Sequence, residues 1–278
     1  MARTPEIPGL TVRTLLGKGD ATNVYVAEVT EQTELWFPGQ LVAVKVPHTS
    51  MEMDEERLQR LQRELEIGDK IRHPNLLRYF IKGETDKGRP YLVMELVRGL
   101  DLGTLIKDEA PLSPERVRGI LTQIARGVRE LHSFQVIHRD LKPENIMLSE
   151  GDLVKVMDYG LARLIDTRVQ LTNTGTFVGT MNYASPEHFR QEVVPQSDLW
   201  SIGVIGYELL TGEAPFGGNS LIDLWKSIQL KRSPLVRGTN PDVPESLASA
   251  IDRCLKKDPA DRWADADDLI KALEGEEA

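Results

Sequence analysis

The sequence has very little cysteine and no long apolar run, and each shortage excludes a class of protein. Cys254 is the single cysteine among 278 residues, which excludes an intramolecular disulfide and a cysteine-cluster metal site. A membrane span needs about 20 mostly apolar residues. The longest charge-free stretch, 169–186, contains four threonines and two asparagines. The first eight residues lack the apolar region of a secretory signal. We therefore expect a cytoplasmic chain without a membrane segment.

Basic residues are outnumbered by acidic ones. The 34 lysines and arginines against 43 acidic residues leave a net charge of −9. A nucleic-acid-binding protein usually presents a basic face, so we expect no nucleic-acid partner. Hydrophobic residues make up 40% and there are 22 glycines. Together they lie in the globular range of about 45–50%, which excludes disorder, collagen-like repeats and a coiled coil as the main architecture.

The pattern of apolar residues changes near residue 98. Runs at 10–16, 24–27, 41–46, 76–80 and 91–96 predict five strands. Leucines at helical spacing within 52–71 predict one helix among them. Beyond Gly99 helical patterns dominate, with a Ser-Pro-Glu start at Ser113 and further helices over 197–210, 247–256 and 264–273. The sequence predicts one α+β domain over 1–278, with a small five-stranded N-lobe (about 8–95), a hinge (about 95–99) and a larger, mainly helical C-lobe (about 100–273).

The most informative stretch is 138–145, which reads His-Arg-Asp-Leu-Lys-Pro-Glu-Asn and is followed by Asp-Tyr-Gly at 158–160. These segments resemble the catalytic loop and a variant of the Asp-Phe-Gly motif of the protein kinase family. The resemblance extends from about residue 10 to residue 263 and implies a bilobal protein-kinase-like fold. The pattern Thr-x-Thr-Gly-Thr-Phe-Val-Gly-Thr at 172–180 is similar to that of bacterial Hanks-type serine/threonine kinases.

The resemblance assigns the reaction to residues of the C-lobe. Phosphoryl transfer requires positioning and charge neutralisation more than covalent chemistry. Asp140 is expected to orient the attacking hydroxyl and accept its proton, and Lys142 to meet the transferred phosphate. Asn145 and Asp158 match the family's magnesium ligands, and such hard oxygen donors suit Mg²⁺ or Mn²⁺. Thr180 matches the threonine that contacts the catalytic aspartate and lysine in serine/threonine kinases.

The phosphate-binding lysine and its acidic partner belong to the N-lobe. Lys45, in Ala-Val-Lys, resembles the strand lysine that holds the α- and β-phosphates of ATP. Glu64 and Glu66 could both be its helix partner, but they lie about 200° apart on a helix, so only one can face it. Glu64 is ten residues before Pro74, which is the family spacing, and we therefore choose Glu64.

The glycine-rich loop departs from the family pattern. Gly17 and Gly19 would let backbone N–H groups approach phosphates, whereas Thr22 replaces the third family glycine and Asp20 places a carboxylate nearby. These departures support an alternative, a pseudokinase scaffold that binds nucleotide and protein partners without efficient transfer. The resemblance implies an ATP-binding set of Leu16, Gly17, Gly19, Val24, Ala43, Lys45, Met94, Glu95, Val97, Asp101 and Met147.

The segment that ends in Ser-Pro-Glu resembles an activation segment. Thr172, Thr174 and Thr176 are its candidate regulatory phosphorylation sites. Arg139 precedes the catalytic aspartate, and a phosphothreonine pairs readily with arginine. The resemblance further implies ATP and protein substrates as partners, and a homodimer for autophosphorylation in trans.

Other polar residues are expected to support the fold. By resemblance, Glu187 pairs with Arg262, and Asp198 anchors the catalytic loop from a buried helix. His132 and His188 have no metal-ligand spacing, so we expect structural or solvated roles for both.

Overall fold

A computed structural model of the chain describes residues 5–18, 22–32, 36–47, 70–85, 90–159 and 179–275. The chain divides into two compact units. The first unit comprises Met1–His73 and Leu77–Val97, and the second comprises Pro74–Leu76 and Arg98–Ala278. Within the described residues, no helix is both long and apolar enough to cross a lipid bilayer.

The first unit contains a five-stranded antiparallel sheet in the order β1-β2-β3-β5-β4. Its strands are β1 Leu10–Lys18, β2 Thr22–Val29, β3 Leu41–Pro47, β4 Tyr79–Glu84 and β5 Pro90–Glu95. The five-stranded prediction is confirmed, but the position predicted for the fourth strand, 76–80, is wrong. Leu76 and Leu77 are buried outside the strands of this sheet, and Leu76 instead forms an isolated parallel bridge with Val156 of the second unit. The helix predicted over 52–71 lies almost wholly outside the described residues.

Alternation along the central strands gives this sheet two different faces, because successive strand side chains point to opposite sides. One face packs into an apolar cluster that includes Val42, Val44 and Val93. Val42, Val44 and Val93 are fully buried. Full burial of each such side chain contributes about 1.5–3 kcal/mol. Burial of these side chains therefore stabilises the first unit.

The second unit is mainly helical. Its helices are α1 Leu102–Glu109, α2 Pro114–Ser133, α3 Pro195–Thr211, α4 Leu221–Leu230, α5 Val236–Thr239, α6 Glu245–Cys254 and α7 Ala266–Glu274. As predicted, Ser113 caps α2 by accepting a hydrogen bond from the Arg116 backbone N–H. Gly212 ends α3 with φ +75°, a left-handed conformation that glycine adopts without steric cost.

Helix α3 is buried nearly all round its circumference, which is typical of a helix in the interior of a domain. Two glycines allow its neighbours to approach closely. A Cβ on Gly203 would lie 2.6 Å from the Cβ of Cys254 on α6, and a Cβ on Gly206 would lie 2.8 Å from Cδ1 of Leu121 on α2. The small residues therefore set the packing distance of the helix that carries Asp198.

A small antiparallel sheet in the second unit was not predicted. It consists of β6 Gly99–Asp101, β7 Ile146–Ser149 and β8 Leu153–Val156, in the order β6-β7-β8. A 3-10 turn over Pro143–Asn145 leads directly into β7, and β8 leads to Met157 and Asp158. This sheet thus brings the end of the catalytic loop beside the start of the Asp-Tyr-Gly segment.

Candidate active site

Several of the predicted ATP-binding residues lie on one face of the first unit's sheet. Val24 is paired with Lys45 across β2 and β3, and Ala43 is paired with Met94 across β3 and β5. Directly opposed residues of antiparallel strands project from the same face, and Lys45 lies two residues beyond Ala43. These four side chains therefore share the face opposite the apolar cluster. Gly17, paired with Val24, lies at one end of this row.

The other predicted residues of the first unit are more scattered. Leu16 is exposed and Val97 is half-buried. The Glu95 backbone N–H donates to the Arg78 carbonyl at 2.9 Å. Gly19 and Glu64 lie outside the described residues.

Asp101 and Met147 are direct partners across β6 and β7. The Asp101 carboxylate also caps α1, because Oδ1 accepts from the Thr104 backbone N–H at 2.9 Å and Oδ2 accepts from its Oγ1 at 2.8 Å. A carboxylate has about four lone-pair positions, so this cap leaves acceptor capacity for a ligand hydroxyl. The capping role was not predicted.

The catalytic loop brings two of the predicted residues, Lys142 and Asn145, into contact with the Asp140 carboxylate. Nζ of Lys142 lies 3.0 Å from Oδ2 of Asp140. Nδ2 of Asn145 donates to the same Oδ2 at 3.1 Å and to the Asp140 carbonyl at 2.8 Å. The amide of Asn145 and the ammonium of Lys142 therefore fix the orientation of the Asp140 side chain.

The backbone of this loop is held by a buried acid, as predicted. Asp198 Oδ2 accepts from the His138 N–H at 2.9 Å, and Oδ1 accepts from the Arg139 N–H at 2.9 Å. Burial by itself would raise the pKa of Asp198, but the hydrogen bond and charge of His132 and the backbone N–H groups hold it below its usual value. The carboxylate is therefore ionised and accepts from both loop amides.

Two further hydrogen bonds align the loop with the Asp-Tyr-Gly segment. Nε2 of His138 donates to the Met157 carbonyl at 2.8 Å, and the Met157 N–H donates to the Asn145 carbonyl at 2.8 Å. Asp158, the next residue, has φ +55°, a conformation rare for residues other than glycine. Asn145 is therefore hydrogen-bonded to Met157, the residue that directly precedes Asp158.

These two residues fit a hard divalent cation. Asn145 uses its NH₂ group to bind Asp140, which leaves the amide oxygen as its possible metal ligand. Together with the Asp158 carboxylate, it provides the oxygen donors that Mg²⁺ prefers, and Mg²⁺ normally completes its shell with water and substrate phosphates. No cluster of three or more His, Cys, Asp or Glu suited to a metal occurs in the described part of the chain.

The Ser-Pro-Glu segment is anchored by a buried ion pair. Arg262 binds Glu187 through two parallel hydrogen bonds, Nη1 to Oε1 at 2.7 Å and Nη2 to Oε2 at 2.8 Å. Its three other N–H groups donate to the carbonyls of Lys256, Gln196 and Lys257, so all five guanidinium donors are used. Burial would raise the pKa of Glu187, but Arg262 and the Ser197 hydroxyl lower it to about 2.

Thr180 lies in a 3-10 turn over Gly179–Tyr183, and its predicted contact with the catalytic loop stays a prediction. The activation-segment candidates Thr172, Thr174 and Thr176 lie outside the described residues.

One contact of His188 was not predicted from the sequence. This side chain reaches the carbonyl of Arg139 in the catalytic loop. Its place three residues after Ser185 is the spacing of a helix-capping box, which indicates the bond to the Ser185 N–H but not the contact with Arg139.

An antiparallel five-stranded unit followed by a helical unit with this catalytic loop defines a protein-kinase-like fold. A profile described as "Protein kinase domain" matches residues 10–272. A probable serine/threonine-protein kinase PknB of Lactococcus lactis is 35% identical over 92% of this chain and 40% of its own length. Serine/threonine-protein kinase PrkC of Bacillus subtilis is 32% identical over 92% of this chain and 38% of its own.

The crystal structure of a cysteine-to-alanine mutant of the Mycobacterium tuberculosis PknI kinase domain is 25% identical with a TM-score of 0.72, and the match covers 99% of both chains. The chain belongs to the protein kinase domain family, and its relatives place it with the bacterial Hanks-type kinases. It spans about two fifths of the length of the curated relatives it matches.

Proposed function

We propose that this chain transfers the γ-phosphoryl group of ATP to serine or threonine hydroxyls of proteins. The observation that carries the proposal is the geometry around Asp140. Its carboxylate is held by Lys142 at 3.0 Å and by Asn145 at 3.1 Å, on a loop whose backbone is tied to Asp198. A carboxylate fixed in this way can orient a hydroxyl and accept its proton.

Each candidate residue has a role in this proposal. Lys45 binds the α- and β-phosphates and pairs with Glu64, and Lys142 neutralises charge on the transferred group. The sheet face with Val24, Ala43 and Met94 binds adenine together with Met147, using backbone groups of Glu95 and Val97. Leu16, Gly17 and Gly19 cover the phosphates, Asp101 binds the ribose, and Thr180 contacts the catalytic loop.

Asn145 and Asp158 hold the divalent cation, which we propose is Mg²⁺. When bound, it neutralises phosphate charge. We further propose that phosphorylation of Thr172, Thr174 or Thr176 regulates the enzyme, and that two copies of the chain phosphorylate each other in trans.

Transfer of ³²P from Mg-ATP to the protein itself and to a generic protein substrate tests the activity. The Asp140→Asn variant should lose a factor of about 10²–10⁴ in turnover, the usual contribution of a positioned general base. The matched control is Asp267→Asn on α7, whose exposed ion pair with Arg129 is worth at most about 1 kcal/mol. It should retain wild-type turnover. Nucleotide binding without transfer by the wild-type chain would instead support the pseudokinase alternative.

Regulation and assembly are tested on the same preparation. Mass spectrometry after incubation with Mg-ATP should find phosphate at one or more of Thr172, Thr174 and Thr176, and their joint replacement by alanine should lower activity. Transfer in trans predicts that the specific rate of autophosphorylation rises with protein concentration. A rate independent of dilution would indicate reaction within one chain. Replacing Mg²⁺ with Mn²⁺ shows which cation supports the faster transfer.

A further inference from the structure

His188 makes hydrogen bonds both to Ser185 of the Ser-Pro-Glu segment and to the catalytic loop. It lies in a 3-10 turn over Pro186–Arg190 and is only 4% exposed. Its Nδ1 is 3.1 Å from the Ser185 backbone N and 2.6 Å from the Ser185 Oγ. Its Nε2 is 3.0 Å from the Arg139 carbonyl oxygen. One imidazole therefore contacts two segments that are well separated along the chain.

These partners fix the tautomer of the ring. A backbone N–H can only donate, so Nδ1 of His188 must be the accepting nitrogen toward Ser185. The ring proton is then on Nε2, where it donates to the Arg139 carbonyl, which can only accept. Burial lowers the pKa of His188, which agrees with a neutral ring that has one donor and one acceptor.

The contacted peptide is the one that leads into Asp140. Arg139 has φ +66°, a left-handed conformation that costs energy for a residue with a side chain and persists only when its surroundings enforce it. Its N–H donates to Asp198 on α3, and its carbonyl accepts from His188. Both main-chain polar groups of this strained residue are therefore hydrogen-bonded. The bond to its carbonyl comes from His188 in the 3-10 turn over Pro186–Arg190.

We propose that His188 is a positioning residue for phosphoryl transfer, which orients the Arg139–Asp140 peptide through its Nε2–H and so places the Asp140 carboxylate. This inference rests on the proposed kinase activity. A misplacement of a catalytic group by about 1 Å can cost about 10²-fold in rate, so loss of this one hydrogen bond should appear in kcat. The proposed function gives the Arg139 carbonyl no role in nucleotide binding, so we expect KM for ATP to stay nearly constant.

Two amide variants distinguish the hydrogen bond of His188 to the Arg139 carbonyl from its capping bond to the Ser185 N–H. In His188→Asn the side-chain amide occupies the position of Nδ1 and can still accept from the Ser185 N–H, but it is too short to reach Arg139. In His188→Gln the amide reaches the position of Nε2 and can donate to the Arg139 carbonyl. His188→Met removes both hydrogen bonds at similar volume. Tyr207→Phe, which removes a hydrogen bond to Thr239, controls for lost stability.

If His188 positions the Arg139–Asp140 peptide, His188→Asn and His188→Met should lose about tenfold or more in kcat. His188→Gln and Tyr207→Phe should stay within about threefold of wild type. A merely structural capping role predicts the reverse order for the two amide variants. Any result in which His188→Gln does not exceed His188→Asn in kcat by at least about threefold overturns the proposal.

Hydrogen exchange of the catalytic-loop amides gives a readout that needs no activity. The N–H groups of His138, Arg139 and Asp140 are hydrogen-bonded within this network. They should exchange faster in His188→Asn and His188→Met than in His188→Gln. If wild type transferred no phosphate, the proposed function would fail, and equal exchange in the Asn and Gln variants would separately refute the positioning role.

Discussion

The ion pair between Glu187 and Arg262 allows a quantitative test of how the second unit is stabilised. Arg262 is 1% exposed, and its five donors all have acceptors. Removing one partner of a buried pair leaves an uncompensated charge and typically costs about 3–5 kcal/mol. We expect Arg262→Met to lower the free energy of unfolding by about that amount at pH 7.

The acid titration of Glu187 predicts a second, independent signature. Its pKa falls from 4.5 to about 2 on folding, and 1.36 kcal/mol per unit converts this to about 3 kcal/mol. Because the folded pKa is the lower one, the stabilisation is complete above about pH 4.5 and is lost as the pH falls toward 2. Glu187→Gln should therefore cost about 3 kcal/mol at pH 7 and less at pH 3.5.

Urea unfolding followed by tryptophan fluorescence measures both effects, because Trp200, whose ring centroid lies 5.1 Å from the Arg262 guanidinium, is fully buried in the folded chain. The matched control is Arg126→Met, which breaks an exposed pair with Glu274 and should cost at most about 1 kcal/mol. The reasoning is refuted if Arg262→Met costs no more than this control. It is equally refuted if Glu187→Gln shows the same acid sensitivity as wild type.

Two other buried groups give simple tests. Burial lowers the folded-state pKa of His188 below 6.5. Asp198, Glu187 and the hydrogen bond to the Arg139 backbone oppose that shift, and the charge of Arg139 reinforces it. The unfolded chain therefore takes up the proton first. Stability should fall as the pH drops below about 6.5. The fall measured between pH 7.5 and 5.5 should be smaller in His188→Gln, and an unchanged slope would contradict the assignment. Burial raises the pKa of the Cys254 thiol to about 12, so a thiol reagent at pH 8 should react only after unfolding, and rapid labelling of the folded protein would show that Cys254 is accessible.

The helical unit was predictable where local chemistry decides the structure. Ser113, a proline at the first helical position and apolar residues at 3.6-residue spacing together predicted α2. The predicted ends of α3, α6 and α7 fall within two residues of the observed ones. The position predicted for β4 was wrong because Leu76 is paired with Val156 in an isolated bridge and Leu77 is buried outside any strand, and a short apolar run does not distinguish these cases from a strand of the first sheet.

The cluster around Asp140 was predictable from the sequence alone, because Asp140, Lys142 and Asn145 lie within six residues of one loop. The sequence also indicated the pairing of Glu187 with Arg262 through resemblance to a family. The contact between His188 and Arg139 could not be predicted in this way. That contact requires the 3-10 turn over Pro186–Arg190 to pack beside the catalytic loop. The conformation of Arg139 also depends on the hydrogen bond from its N–H to Asp198 on α3. Such contacts depend on the packing of distant elements, which no local pattern encodes.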